Sequence, residues 1–360
     1  MNKNFFNELN ILPVNQKFSQ IAKDHIEKLT MPPWALGDLL NLGVQLSSIQ
    51  EQFPPKINHK TVYIFAGDNG ITDENISLFP KIVTEQMVRN FASGGAAINV
   101  LSRHAGAETV IVDVGVDANL EDLSQKGLIL NRKIRKGTYN FFEKPSMSLD
   151  EALQSLQVGL DLVKESFHET DLYAIGEMGI GNTTTSSALL SALLDKDPDQ
   201  LTGKGTGLND QARLHKVEII RESLKRRSAS SKDDPLTLLQ KIGSFEIGAM
   251  VGMVLGCALY RRPLLMDGLI SSTAGLLASR INKSVTPYLF LAHKSVEPGH
   301  MAIIEELQLK PLLDLNMRLG EGSGTPLAMN LLEASSKIMA EMATFESAQV
   351  SGQKEEGDKK

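Results

Sequence analysis

The sequence predicts an α/β protein: a doubly wound, mainly parallel sheet with helices on both faces, joined to a small helical domain formed by the N- and C-terminal segments. Three observations carry that expectation. Five short apolar runs, at 61–66, 108–114, 171–175, 263–266 and 287–291, read as buried strands, with 128–134 a weaker sixth. Segments of helical periodicity, such as 83–104, 149–165 and 243–260, lie between most of them. Both ends of the chain fall outside this alternation.

In chain order, residues up to about Pro55 read as one or two helices broken at Met31-Pro32-Pro33-Trp34. The alternating strands and helices follow. Near their end, Gly248, Gly252 and Gly256 stand four apart on one helical face, which permits very close backbone approach to the sheet or to a partner subunit. Residues 325–345 form the last strong helix, with Thr325 able to cap it, Pro326 at its first position and Leu327, Leu331, Ile338 and Met342 along one face. Neither terminal segment can bury its apolar face alone. They are therefore expected to pack together as a domain of residues 1–55 and 326–350, around a large α/β domain of residues 56–325. The charged stretch 351–360 is expected to be disordered.

With 360 residues, 42% of them hydrophobic, the chain is too apolar for disorder and long enough for a large core. A net charge of −6 gives no reason to expect nucleic acid or an anionic membrane as partner, so small molecules are expected. The first residues have no apolar signal core, and the longest apolar run, near 248–260, is shorter than the roughly 20 residues a membrane span needs. A cytoplasmic location is the expectation. One cysteine, Cys257, excludes internal disulfides and cysteine-based structural zinc.

In doubly wound sheets ligands bind beyond the carboxyl ends of the strands. Those ends read Ala66-Gly67-Asp68-Asn69-Gly70, Asp113-Val114-Gly115, Gly176-Glu177-Met178-Gly179, Met266-Asp267-Gly268 and Ala292-His293-Lys294-Ser295. Asp and Gly also end strands and cap helices for structural reasons, so any one loop is ambiguous. Their recurrence at a single sheet edge is what a built site produces.

The run from Gly176 through Gly179, Gly181 and Asn182 to Thr185 has the make-up of an anion cradle, with glycines, an amide and the free N–H groups of a helix start. It lacks the Walker lysine and the G-x-G-x-x-G spacing, so a monophosphate fits better than a triphosphate or dinucleotide. By itself it equally fits a plain turn capped by Asn182. A second loop, Gly203-Lys204-Gly205-Thr206-Gly207, and Lys216 on the next helix could complete a phosphate site; without those loops, Lys216 reads as a solvated surface charge. In Met317-Arg318-Leu319-Gly320-Glu321-Gly322-Ser323-Gly324, the glycines let a ligand reach Glu321, whose apolar neighbours would raise its pKa toward that of a general base. Arg318 could pair with a carboxylate or phosphate. The same segment also reads as a mobile surface loop. The seven His include no H-E-x-x-H or comparable pair, so no metal site is expected, and no G-x-S-x-G elbow occurs.

Taken together and in order, several segments closely resemble the nicotinate-nucleotide:dimethylbenzimidazole phosphoribosyltransferase (CobT) family. They include Gly67-Asp68-Asn69-Gly70-Ile71, Phe79-Pro80-Lys81-Ile82-Val83-Thr84, Gly94-Gly95-Ala96-Ala97-Ile98-Asn99, the Gly176-to-Thr184 loop, Leu265-Met266-Asp267-Gly268, His293-Lys294-Ser295-Val296-Glu297-Pro298-Gly299 and Arg318-to-Gly324. The resemblance runs from about Pro32 to Val350. It implies transfer of the 5-phosphoribosyl group of nicotinate mononucleotide to 5,6-dimethylbenzimidazole, giving α-ribazole 5′-phosphate and nicotinate for a cobamide lower ligand. It also implies a homodimer and no cofactor.

Carried onto this sequence, Glu321 matches the family's catalytic carboxylate. Glu177, Gly179 and Asn182 match the loop that holds the phosphoribosyl part, and Lys216, Ser295 and Arg318 match positions associated with the nucleotide or departing nicotinate. Phe79, Met87 and Met178 are expected to line the aromatic-base pocket. Relatives that take another benzimidazole, adenine or a phenol, or that bind nucleotide without turnover, are the alternatives.

Overall fold

The computed structural model describes residues 5–205 and 207–351. Its strands are β1 (Lys60–Gly67), β2 (Glu108–Gly115), β3 (Leu130–Asn131), β4 (Leu172–Met178), β5 (Leu264–Met266), β6 (Leu289–His293) and β7 (Pro311–Leu313). They form one parallel sheet in the order β3-β2-β1-β4-β5-β6-β7. β1 and β4 are buried along their whole length, which is why their sequences are apolar without alternation. All five expected strands form, and the weaker sixth survives as the two-residue edge strand β3. The other edge, β7, escaped detection because three residues opening with proline carry no periodicity; an edge is where a strand proline is tolerated.

The chain runs from β1 outward to β2 and β3, then returns to place β4 on the other side of β1. With right-handed crossovers this reversal sends the connections before and after it to opposite faces of the sheet. β1 and β4 pair with Phe65 opposite Glu177 and Ala66 opposite Met178. Their outgoing loops diverge, opening the crevice in which such folds bind ligands.

The expected helix at 83–104 is two helices, Val83–Ala92 and Ala97–Ala105, because Gly94 adopts φ +77° between them. Helix Leu149–Ser166 starts with a reciprocal cap, the Glu151 N–H donating to Ser148 Oγ at 3.1 Å and the Ser148 N–H to Glu151 Oε2 at 2.7 Å. The glycine-faced helix, Phe245–Leu259, presses its glycines on this neighbouring helix. A Cβ at Gly252 would lie 1.7 Å from the Leu156 carbonyl oxygen, and one at Gly248 2.0 Å from Ser155 Oγ.

The described residues divide into two compact units, one comprising residues 5–12 with His59–Met329, the other Pro13–Asn58 with residues 330–351. In the first, the Asn282 side chain and the Tyr288 hydroxyl donate to the carbonyls of Leu9 and Leu12, at 3.2 and 2.8 Å. The second is built on helices Gln16–Ile26 and Asp38–Gln50 and the later turns of helix Thr325–Glu341, with Ala22, Ile26, Leu40, Val44 and Met339 as its core. There Ser335 and Ser336 donate to the carbonyls of Leu39 and Pro55, both at 2.6 Å. Apart from Ser351, the tail expected to be disordered lies outside the described residues. Among the described residues no helix is long and apolar enough to cross a membrane.

Candidate active site

A cavity of about 670 Å³ opens at the carboxyl edge of the sheet, and all ten residues singled out from sequence line it: Phe79, Met87, Glu177, Met178, Gly179, Asn182, Lys216, Ser295, Arg318 and Glu321. They arrive from five places, namely the segment after β1, the end of β4 with its following helix, helix Asp210–Arg227, the turn after β6 and the loop before helix Thr325–Glu341.

Glu321 stands in a tightly specified loop. Gly320, Glu321 and Gly322 have φ of +84°, +63° and +83°, so a non-glycine residue sits in left-handed conformation between two glycines. The close approach of this loop to β4 explains Gly176, where a Cβ would lie 2.4 Å from the Glu321 carbonyl oxygen. Glu321 is only 8% exposed, which rules out the mobile surface loop its sequence also allowed. Burial and the nearby Asp267 push its carboxyl above the ordinary range, against a downward pull from the Ile98 N–H. Its Oε2 is buried and has no hydrogen-bond partner. Thr325 does not cap the helix as expected: its hydroxyl donates to the Gly322 carbonyl at 2.7 Å, and the Gly324 N–H donates instead to Asp267 Oδ1, also at 2.7 Å.

Glu177 holds the same loop from below. Its Oε1 accepts the Glu321 N–H at 3.3 Å and its Oε2 accepts from the Asn182 amide. Burial pushes its pKa up to about 8, so it is largely neutral at physiological pH. Beyond it, Gly181 at φ +96° turns the chain into helix Asn182–Leu194, whose first residues, Asn182 and Thr183, line the cavity.

Lys216 is buried, 1% exposed, and so is no solvated charge. Its Nζ donates to Thr183 Oγ1 at 2.8 Å, and burial lowers its pKa to about 8. The Arg318 guanidinium donates to the Gly205 carbonyl at 3.3 Å, and the Gly205 N–H donates to Glu297 Oε1 at 3.1 Å. This part of the cavity therefore carries two cations and the Thr183 hydroxyl, the equipment of an anion site, with the Glu297 carboxyl beside them. Ser295 is placed there by its N–H, which donates to His300 Nδ1 at 3.0 Å; burial keeps that imidazole neutral, with a pKa near 3. Elsewhere Ile76, Phe79, Val83, Met87 and Met178 make an apolar wall suited to the faces of a flat ring.

Sequence reasoning gave no individual role to Asp267, His293 or Glu297, which line the cavity together with Thr183. Position was the available signal for Asp267 and His293, since both end strands at the functional edge. Among the described residues no group of three or more His, Cys, Asp or Glu is arranged to hold a metal ion.

The fold and the site define a doubly wound α/β protein in which an anion cradle and a desolvated carboxylate share one cavity. The phosphoribosyltransferase family model DBI_PRT matches residues 11–350. The nicotinate-nucleotide–dimethylbenzimidazole phosphoribosyltransferase of Syntrophotalea carbinolica is 43% identical over 341 residues, 95% of this chain and 96% of that protein. The protein of the same name from Geobacter sulfurreducens is 44% identical over 349 residues, 97% of each chain. The crystal structure of CobT from Thermus thermophilus superposes with a TM-score of 0.89 at 37% identity, covering 94% of this chain and all of that one. The chain belongs to the CobT family of nicotinate-nucleotide–dimethylbenzimidazole phosphoribosyltransferases.

Proposed function

We propose that the protein transfers the 5-phosphoribosyl group of nicotinate mononucleotide to 5,6-dimethylbenzimidazole, with Glu321 as general base. The observation that carries this reading is the buried Glu321 carboxylate, whose Oε2 lacks a hydrogen-bond partner, in a cavity that also presents an apolar wall and a cationic cradle. One ring nitrogen of the base attacks the anomeric carbon of the ribose while the bond from that carbon to the pyridinium nitrogen breaks. The bonding pair leaves with nicotinate, whose ring nitrogen becomes neutral, so departure needs no proton donor. Attack opposite the leaving group turns a β-glycosidic bond into an α one. The proton on the base's other nitrogen passes to Glu321, relieving the positive charge that builds on the ring. Lys216, Asn182 and the helix N–H groups bind the phosphate, Arg318 and Ser295 the nucleotide or departing nicotinate, and the wall at Phe79, Met87 and Met178 holds the base.

The test is a competition assay with nicotinate mononucleotide and a mixture of benzimidazoles, adenine and phenols, with products identified by mass. α-Ribazole 5′-phosphate is the expected main product; phosphoribosylated adenine or phenol as the main product would reassign the substrate. Glu321→Gln is expected to bind nicotinate mononucleotide while losing about 10²–10⁴-fold in transfer, the usual share of a general base. Near-normal turnover by this variant would remove Glu321 from the role.

The protein acts in the cytoplasm as a homodimer. The family resemblance supports the dimer, and a phosphorylated substrate, which does not cross membranes unaided, supports the location. Light scattering in solution is expected to give about twice the 39.3 kDa chain mass.

A further inference from the structure

We propose that Asp267 and His293 are a positioning pair for the Glu321 loop, fixing where the Glu321 carboxylate stands and the charge it faces. The proposal rests on reading Glu321 as the general base.

Both residues are 2% exposed and reach the cavity wall from the ends of the adjacent strands β5 and β6. Asp267 Oδ1 accepts the Gly324 N–H at 2.7 Å and lies 3.3 Å from His293 Nε2. Gly324 is three residues past Glu321 and immediately precedes helix Thr325–Glu341, so Asp267 supplies from outside the segment the acceptor that a helix start needs. The imidazole lies against the same glycine, where a Cβ would be 2.3 Å from His293 Cδ2. The left-handed turn at residues 320–322 is thus tied at both ends by buried carboxyl groups, Glu177 at the Glu321 N–H and Asp267 at Gly324.

The pair also controls local charge. The titratable groups on the cavity wall with it are Glu177 from β4, Glu321 itself, Lys216 from helix Asp210–Arg227, Glu297 after β6 and Arg318. His300, from helix Pro298–Leu307, stands with its ring centre 6.3 Å from that of His293 and is held neutral by burial and by His293. Asp267 pushes the carboxyls of both Glu177 and Glu321 upward. Burial opposes charge on His293, but Asp267 outweighs it and keeps the imidazolium above its ordinary range. Protonation of His293, whose Nε2 lies 3.3 Å from Asp267 Oδ1, offsets that carboxylate as seen from Glu321.

The decisive measurement is the pH profile of base transfer in the wild type, Asp267→Asn and His293→Gln. Asparagine keeps an oxygen for the Gly324 N–H but removes the charge, so the acid limb, which reports protonation of Glu321, is expected to move down by about 0.5–1 pH unit. Glutamine keeps an N–H donor but removes the cation, so the limb is expected to move up by a similar amount. A purely structural role lowers the rate without opposite displacements, and a limb that stays in place in either variant overturns the proposal. Titration of the labelled imidazoles by NMR needs no turnover: the His293 pKa should fall by about one unit in Asp267→Asn. An unmoved His293 overturns the pair. A wild-type protein that transfers nothing overturns the enzymatic reading, with the imidazole titration still deciding the pair.

Discussion

Three buried ionisable residues show how burial assigns roles. Glu177 and Glu321 carry the same functional group in one cavity, yet Glu177 is tied by two N–H donors while Glu321 leaves an oxygen unbound. Desolvation pushes the Glu177 pKa up to about 8, which suits an anchor, while Glu321, with its unbound oxygen, is the proposed acceptor. For Lys216 the sign is reversed. Burial lowers its pKa to about 8, so its charge is present below that pH and lost above it. Affinity for nicotinate mononucleotide should therefore be steady below pH 8 and weaken above it, approaching tenfold per pH unit until the bound lysine also titrates. Lys216→Met should bind weakly with little change over that range, and calorimetry at pH 7, 8 and 9 distinguishes the two. Equal wild-type affinity at all three would take Lys216 out of the anion site. Residue types and motif order singled out ten residues that line one cavity. The roles of Asp267 and His293 were not legible in the sequence, because a strand-ending Asp and a lone His have ordinary structural uses, and only their contacts with Gly324 distinguish them.

Among the elements, the helices Leu149–Ser166 and Phe245–Leu259 cross at a spacing set by glycine. The sequence displays the glycine face at Gly248, Gly252 and Gly256, but periodicity cannot name what a face packs against. The partner supplies a glycine of its own, Gly159, where a Cβ would be 1.9 Å from the Ala249 carbonyl oxygen. Gly252→Ala puts a methyl 1.7 Å from the Leu156 carbonyl, which is backbone and cannot rotate aside. The two helices must separate, and stability should fall by about 1–3 kcal/mol or more, read as a lowered midpoint of chemical denaturation. A variant as stable as the wild type would show that the crossing tolerates a wider spacing. The same limit of local pattern accounts for the split of the expected helix at Gly94 and for the missed edge strand β7.

At the scale of the whole molecule, the strand reversal between β1 and β4 gathers loops from distant parts of the chain around one cavity. A ligand that binds only this assembled site stabilises the native state by mass action. Nicotinate mononucleotide at a hundred times its Kd should add about 2.7 kcal/mol, seen as a Tm that rises with nucleotide concentration. A Tm unmoved by saturating nucleotide would separate the cavity from nucleotide binding. By itself the sequence determined the parallel α/β class, the position of five of the seven strands, and the residue types available for chemistry, because buried strands and glycine-rich loops leave local patterns. Only the tertiary structure decided that Lys216 is buried, that Asp267 reaches the Glu321 loop and that the glycine helix meets helix Leu149–Ser166. Each depends on contacts between residues far apart in the chain, and desolvation and cross-loop hydrogen bonds exist only once those residues meet.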